Sequence, residues 1–291
     1  MKGLILINAY NKDGHYLNQA YRLNKEFKTL GVGTDIVANN AFLAYIDDDG
    51  QVVSHAEEYG FCIYLDKDKY LSRLLEKSGL RLYNTHDATR KCDDKYRTYI
   101  ELSGQGIAMP RTLPAPLCYT RGAAVEELTY KKIERELGYP LVVKTSYGSL
   151  GAGVSLAKNR AELVELSERL ISVPHMYQRF VGGGADVRVI VIGGKAFAAM
   201  KRTNKTDFRS NIELGGVGEP YNLAGEVKTV AERSAVLLDL DYCGVDILFD
   251  GQGKPVLCEV NSNAYFGGIE AVTGANVAKR FAEYILDDSK L

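Results

Sequence analysis

An α/β fold with a small parallel sheet at its N-terminal end is predicted by two observations. Short apolar strands alternate with amphipathic helices up to about residue 90, and three hairpin signals follow in the remainder. In order, GLILINA reads as a strand, and NQAYRLNKEFKTLG as a helix that spaces Ala20, Leu23, Phe27 and Leu30 on one face and closes at Gly31. TDIVA and FCIYL are strands, DKYLSRLLEKSG is a helix with Leu71, Leu74 and Leu75 inward, and LRLYN is a further strand. Beyond Asn84, DDKYRTYIELSGQG reads as one helix and GIAMPRTLPAP as a Pro-rich connector. YPLVVKTSYGSLGAGVSLAK is a hairpin with a glycine-rich tip, and AELVELSERLIS a helix. DVRVIVIGGKAFAAMKR is a hairpin turning at Gly193-Gly194, and GVDILFDGQGKPVLCEVNSN is another. The last helix, ANVAKRFAEYIL, aligns Val277, Phe281 and Ile285.

A chain of 291 residues can bury a core as one large domain or as two or three small ones. With 36 Lys and Arg against 37 Asp and Glu, the formal charge of −1 gives no global attraction to nucleic acid or an anionic membrane. No apolar run approaches the roughly 20 residues that span a bilayer, and MKGLILINAYNKDG reads as a first strand, not a signal peptide. The five cysteines include no C-x-x-C pair and the four histidines no H-x-x-x-H pair, so neither a disulfide framework nor a soft-metal site is expected. Any metal should have oxygen ligands, and the expected compartment is the cytosol. The first loop, AYNKDGH, lacks the G-x-G-x-x-G of a dinucleotide site.

The stretch TSYGSLGAG carries Gly148, Gly151 and Gly153 between two strands, with no Lys-Ser/Thr and no helix after it. It is therefore not a Walker A loop; it is either a flap whose bare backbone N–H groups approach phosphates or an ordinary hairpin tip. Lys144 ends the apolar run Leu141-Val142-Val143, where it either meets an anion or snorkels from a strand edge. The stretch AMKRTNKTDFRSNIELGG adds Lys201, Arg202, Arg209 and Asn211, suited to phosphate or carboxylate, or else to a solvated loop.

In the last hairpin, Asp246, Glu259 and Asn261 interrupt apolar runs, and burying unpaired carboxylates is costly. If Asp246 pairs opposite Glu259, the period-two alternation of strands puts all three on one face. Two carboxylates and an amide oxygen suit Mg²⁺, which would also relieve their repulsion; the other reading is an edge strand facing solvent.

These residues resemble the ATP-grasp superfamily, specifically its RimK-like branch of carboxylate–amine ligases. The motifs that carry the resemblance are DDK, VVKTSYGSLGAGV, QRFVGGGADVRVIVIGGKAFAAMKR, DFRSNIELGG, GVDIL and CEVNSNAYFGGIEAVTG, from about Asn84 onward. The resemblance implies an ATP-grasp fold of three α/β subdomains: a pre-ATP-grasp domain over 1–90, a central subdomain with the Gly-rich flap over 91–176, and a C-terminal subdomain with the metal site over 177–291. It implies that ATP with Mg²⁺, or Mn²⁺ in its place, activates a carboxylate as an acyl-phosphate, which an amine then converts to an amide. Lys95 and Lys144 resemble the nucleotide-contacting lysines, and Gln178, Arg179, Phe180 and Val181 the adenine hinge. Asp186 resembles the ribose acid. Arg209, Ser210 and Asn211 resemble the phosphate-side run, with Arg202 and Arg209 as catalytic contacts. Asp246, Glu259 and Asn261 match the Mg²⁺ ligands. The hinge reads Arg179-Phe180 where the family has Glu followed by Phe or Tyr, and Ser262-Asn263-Ala264-Tyr265-Phe266 replaces a Ser-Pro-Gly-type loop.

The expected partners are a carboxylate substrate, small or the tail of a peptide or protein, and an amine, with an amino acid such as glutamate foremost. Association into a homo-oligomer stays open, and neither nucleic acid nor membrane is expected. The alternatives are a D-alanine–D-alanine-type ligase, a carboxylase (no biotin-attachment motif is visible), or a nucleotide-binding regulator without turnover.

Overall fold

The computed structural model describes residues 2–288. The chain begins with β1 (Lys2–Ile7), α1 (Gly14–Thr29), β2 (Gly33–Ala38), the small hairpin β3 (Ala44–Ile46) and β4 (Val52–Ser54), β5 (Phe61–Tyr64), α2 (Lys69–Lys77) and β6 (Leu82–Tyr83). Four of these strands form the expected parallel sheet, in the order β2-β1-β5-β6. Then come α3 (His86–Asp93), α4 (Lys95–Leu102), β7 (Thr112–Pro114), α5 (Glu127–Leu137), β8 (Leu141–Thr145), β9 (Val154–Ala157), α6 (Arg160–Leu170) and β10 (His175–Arg179). Their strands make an antiparallel sheet ordered β7-β10-β8-β9. The last part holds β11 (Ala185–Ile192), β12 (Lys195–Thr203), β13 (Val217–Pro220), α7 (Gly225–Leu237), β14 (Tyr242–Phe249), β15 (Pro255–Asn261), α8 (Gly267–Thr273) and α9 (Val277–Asp288). Its antiparallel sheet runs β13-β12-β11-β14-β15. No described helix is long and apolar enough to cross a membrane.

Several sequence expectations need correction. The helix expected from Asp93 to Gly106 is shorter, α4 covering only Lys95–Leu102: Asp94 is extended (φ −93°, ψ 105°) and its carboxylate accepts from the N–H groups of Tyr96 and Arg97, so it starts α4 and separates it from α3. An aspartate serves better as such a cap than inside a helix. The Pro-rich connector contains β7, an edge strand, where proline is tolerated. Helices α3, α5, α7 and α8 and the β3–β4 hairpin were not anticipated, and LRLYN shrinks to the two residues of β6. The expected border at 176/177 falls inside β10, which stays hydrogen-bonded in the central sheet through Arg179.

The third sheet is buried on both faces, which explains its nearly continuous apolar strands. Along β11, Val187, Val189 and Val191 pack with α7, α3 and α4, while Ile190 and Ile192 join a core shared with α1, α9 and the N-terminal sheet. That shared core, including Ile5, Phe27, Phe61, Phe281 and Ile285, fixes the N-terminal sheet against the third one. The central sheet has its own core around Tyr130, Ile133, Leu141, Leu163 and Tyr177.

Close packing also fixes the loop after β15. At Gly244 on β14 a Cβ would lie 2.5 Å from the Cβ of Ala264. Gly244→Ala should therefore cost about 1–3 kcal/mol by overpacking, read as a lower denaturation midpoint in urea.

Candidate active site

The strand face that carries Ile190 and Ile192 changes character at its other end, where Asp186 and Arg188 occupy the same alternate positions. Register then places Asp186 opposite Arg202 on β12, Arg188 opposite Asp246 on β14, and Asp246 opposite Glu259 on β15. Arg202, only 1% exposed, grips both oxygens of Asp186 and lies 3.0 Å from Asp246 Oδ2. Arg188 holds both oxygens of Asp246, at 2.7 Å each. Two acids and two arginines thus alternate across three strands. Each charge is paired, which is what makes this burial tolerable.

Burial on its own would raise the Asp246 carboxyl, but Arg188 and Arg202 outweigh it and bring it down to about 2. An unfolded aspartate titrates near about 3.9. The stability this group contributes is therefore complete above about pH 4 and lost as pH falls through about 2. Acid unfolding should show a stability loss across that window that Asp246→Asn flattens.

The flap is the β8–β9 connection. Gly148, Gly151 and Gly153 all have positive φ, and a Cβ at Gly153 would meet Thr145 Oγ1 at 2.3 Å, so only glycine fits there. Two cations latch it. Lys95 at the start of α4 donates its backbone N–H to Ser146 O and its ammonium to Gly148 O at 2.6 Å, with Glu259 Oε1 at 3.4 Å. Arg209, paired with both oxygens of Asp207, donates to Gly151 O at 3.0 Å. Ser210 is buried next in sequence, and Asn211 Oδ1 would lie 3.4 Å from a Cβ at Gly151.

Lys144 is buried, with Nζ 3.9 Å from Cys258 Sγ. Burial alone would lower its ammonium, but Cys258, Tyr99 and Glu259 outweigh it and hold it above the ordinary lysine value. Burial also raises the Cys258 thiol to about 11 and the Tyr99 phenol to about 12.

One cavity of about 420 Å³ gathers these residues. Lys95, Lys144, Gly148, Gly151, Gln178, Arg179, Phe180, Val181, Asp186, Arg202, Arg209, Ser210, Asn211, Asp246, Glu259 and Asn261 all line it, while Gly153 in the flap does not. At the hinge, Gln178 is held by Thr112 Oγ1 at 2.8 Å, Arg179 is exposed, and Phe180 meets Phe208 edge to face. The third wall is N-terminal: Asn8, Asn11, Tyr16, Gln19, Asp66 and Lys67. Sequence reasoning missed this wall and also Arg188. For Arg188 a signal existed, because it stands two residues after Asp186, hence on its face, within a run of valine and isoleucine.

The donor chemistry suits a hard cation and its phosphates. Among the described residues no group of three or more His, Cys, Asp and Glu could hold a metal; the oxygen set here is two carboxylates and an amide. Asp246 accepts from guanidiniums through both oxygens, which leaves Glu259 and Asn261 the less committed of the three. The Asn261 amide nitrogen is buried without an acceptor, and a phosphate oxygen would provide one.

Residues 92–285 match the RimK-like ATP-grasp domain. The chain belongs to the RimK-like ATP-grasp family. This RimK-like chain is 35% identical over 229 residues to beta-citrylglutamate synthase B of Danio rerio, an alignment covering 76% of the chain and 54% of that protein. It is 35% identical over 218 residues to a probable alpha-L-glutamate ligase of Maridesulfovibrio salexigens, covering 73% of the chain and 69% of that protein. The chain spans about half the length of the vertebrate relatives it matches. In fold it is similar to the ATP-grasp ligase PsnB complexed with minimal precursor, Mg and ADP, with a TM-score of 0.71 at 18% identity over 99% of this chain and 98% of that one. The expected ATP-grasp fold is thus the observed one.

Proposed function

We propose that this RimK-like protein is an ATP- and Mg²⁺-dependent carboxylate–amine ligase that adds an amino acid, glutamate foremost, to a carboxylate substrate. The observation that carries the reading is the single cavity in which two lysines, a latched glycine flap and the facing acids Asp246 and Glu259 converge. The names of the relatives support glutamate, since citrylglutamate synthase and alpha-L-glutamate ligase both contain it.

In this reading a carboxylate oxygen attacks the γ-phosphorus of ATP and ADP leaves. The amine nitrogen then attacks the acyl carbon, phosphate departs, and the nitrogen loses a proton. Glu259 and Asn261, together with Asp246, would hold Mg²⁺, which would supply charge neutralisation on the phosphate chain. Lys95 and Lys144 offset further phosphate charge, and their burial strengthens the effect. The hinge at 178–181 supplies backbone groups for adenine, with Phe180 against its face. Arg209, Ser210 and Asn211 close the phosphate side beneath the flap, which excludes the water that would hydrolyse an acyl-phosphate. Arg202 serves by holding Asp186 and Asp246 in register.

The test is ADP release with Mg²⁺, screening amino acids against small carboxylates and acidic peptides, with mass spectrometry of the product. Amide formation that depends on both partners supports the reading. Tight ATP binding without ADP release under any pair would replace it with a regulatory role.

A further inference from the structure

The N-terminal wall contains an unusual group. Gln19 lies on the inward face of α1, only 4% exposed, and lines the cavity. Its Nε2 donates to the carbonyl of Ala264 at 3.4 Å, which fixes which end of the amide is oxygen. That oxygen, Oε1, is buried and has no hydrogen-bond partner. A buried acceptor left unpaired is costly, so such an atom marks a place where a donor belongs.

Several donors around this wall are already committed elsewhere. The Tyr16 hydroxyl donates to Leu65 O and accepts from the Asn8 N–H, and the Tyr242 hydroxyl is spent on Ala264 O. Asn8 and Asn39 both donate their side-chain amides to Asp66. Ala264 follows the candidate metal ligand Asn261 by three residues, so the two Cα atoms are within about 11 Å. The unpaired acceptor therefore belongs to a residue that lines the same cavity as Glu259 and Asn261.

We infer that Gln19 Oε1 binds the attacking nitrogen of the amine co-substrate. The inference rests on the ligase reading above. Of the two reacting groups, the carboxylate is acceptor-only and the amine is the one that carries N–H donors. A neutral acceptor has a chemical advantage here. The nitrogen must lose a proton to become nucleophilic, and a carboxylate at this position would favour the ammonium form. An amide oxygen orients the amine without that penalty.

Two variants test this, using L-glutamate or whichever amino acid supports ADP release in the wild type. Gln19→Met keeps the shape and removes the acceptor. The KM for the amine should rise about 10- to 100-fold, while the KM for ATP and for the carboxylate stay within about twofold. Gln19→Glu should keep or lower the amine KM but move the acid limb of the kcat–pH profile upward, because the ammonium becomes harder to deprotonate. A purely structural role would shift all three KM values together and leave the pH limb in place. Wild-type turnover with a Gln19→Met amine KM within about twofold, or a change confined to the carboxylate KM, overturns the assignment while sparing the ligase reading. Absence of amino-acid-dependent ADP release in the wild type overturns both.

Discussion

Replacing Glu259 with glutamine should lower ADP release by about 10²- to 10³-fold or more, the range seen when one charge-stabilising group is removed from a site, and leave the fold intact. The two halves of this expectation have separate causes. Glu259 stands opposite Asp246 on neighbouring strands and lines the cavity, so its carboxylate is one of the few anionic charges available to a divalent ion there. Glutamine keeps the shape and one oxygen but removes the charge. Some stability is lost as well, because Lys95, 3.4 Å away with a side chain only 9% exposed, loses its ion pair. Coupled ADP-release assays across a Mg²⁺ titration, with urea unfolding of the same variant, separate the two effects. A variant within about tenfold of wild type at saturating Mg²⁺ would remove Glu259 from the metal set.

The largest loss of stability is expected from Arg202→Met. Arg202 is 1% exposed, grips both Asp186 oxygens and touches Asp246. Without it Asp246 keeps Arg188, but Asp186 has no cation left among its described ion pairs. Breaking a buried pair from one side costs about 3–5 kcal/mol, whereas removing both partners together can be close to neutral. Arg202→Met should therefore lower the urea midpoint sharply, and adding Asp186→Asn should restore much of it. A loss below about 1 kcal/mol in the single variant, or no recovery in the double, would show that the four charges do not act as one network.

Much of this architecture was legible because it depends on local periodicity. The alternation of β1, α1, β2, β5 and α2 follows from apolar spacing, and Gly193-Gly194, both left-handed (φ 56° and 70°), mark their turn directly. Asp246 and Glu259 were legible as candidates, since carboxylates in apolar runs need partners, but their facing positions depend on a register shift between Asp246 and Ile247, without which the ladder from the turn would set Asp246 opposite Cys258. Asp94 was misread because the same residue can start a helix or interrupt one, and its cap bonds to Tyr96 and Arg97 appear only in the folded backbone.

By itself, then, the sequence determined most strands of the parallel sheet and of the three hairpins, where the glycine flap lies and which acids interrupt the last hairpin, because those features depend on neighbours along the chain or across one turn. Only the tertiary structure decided what those groups touch. The pairing of Arg202 with Asp186 and of Arg188 with Asp246 depends on the register of β12, β11 and β14. Lys95 meets the flap across 53 residues of chain, and Gln19 meets the Ala264 carbonyl across 245. Contacts at such separations come from how three sheets pack, so the sequence could name the flap and the acids of the last hairpin, while the N-terminal wall of the cavity emerged only once the chain was folded.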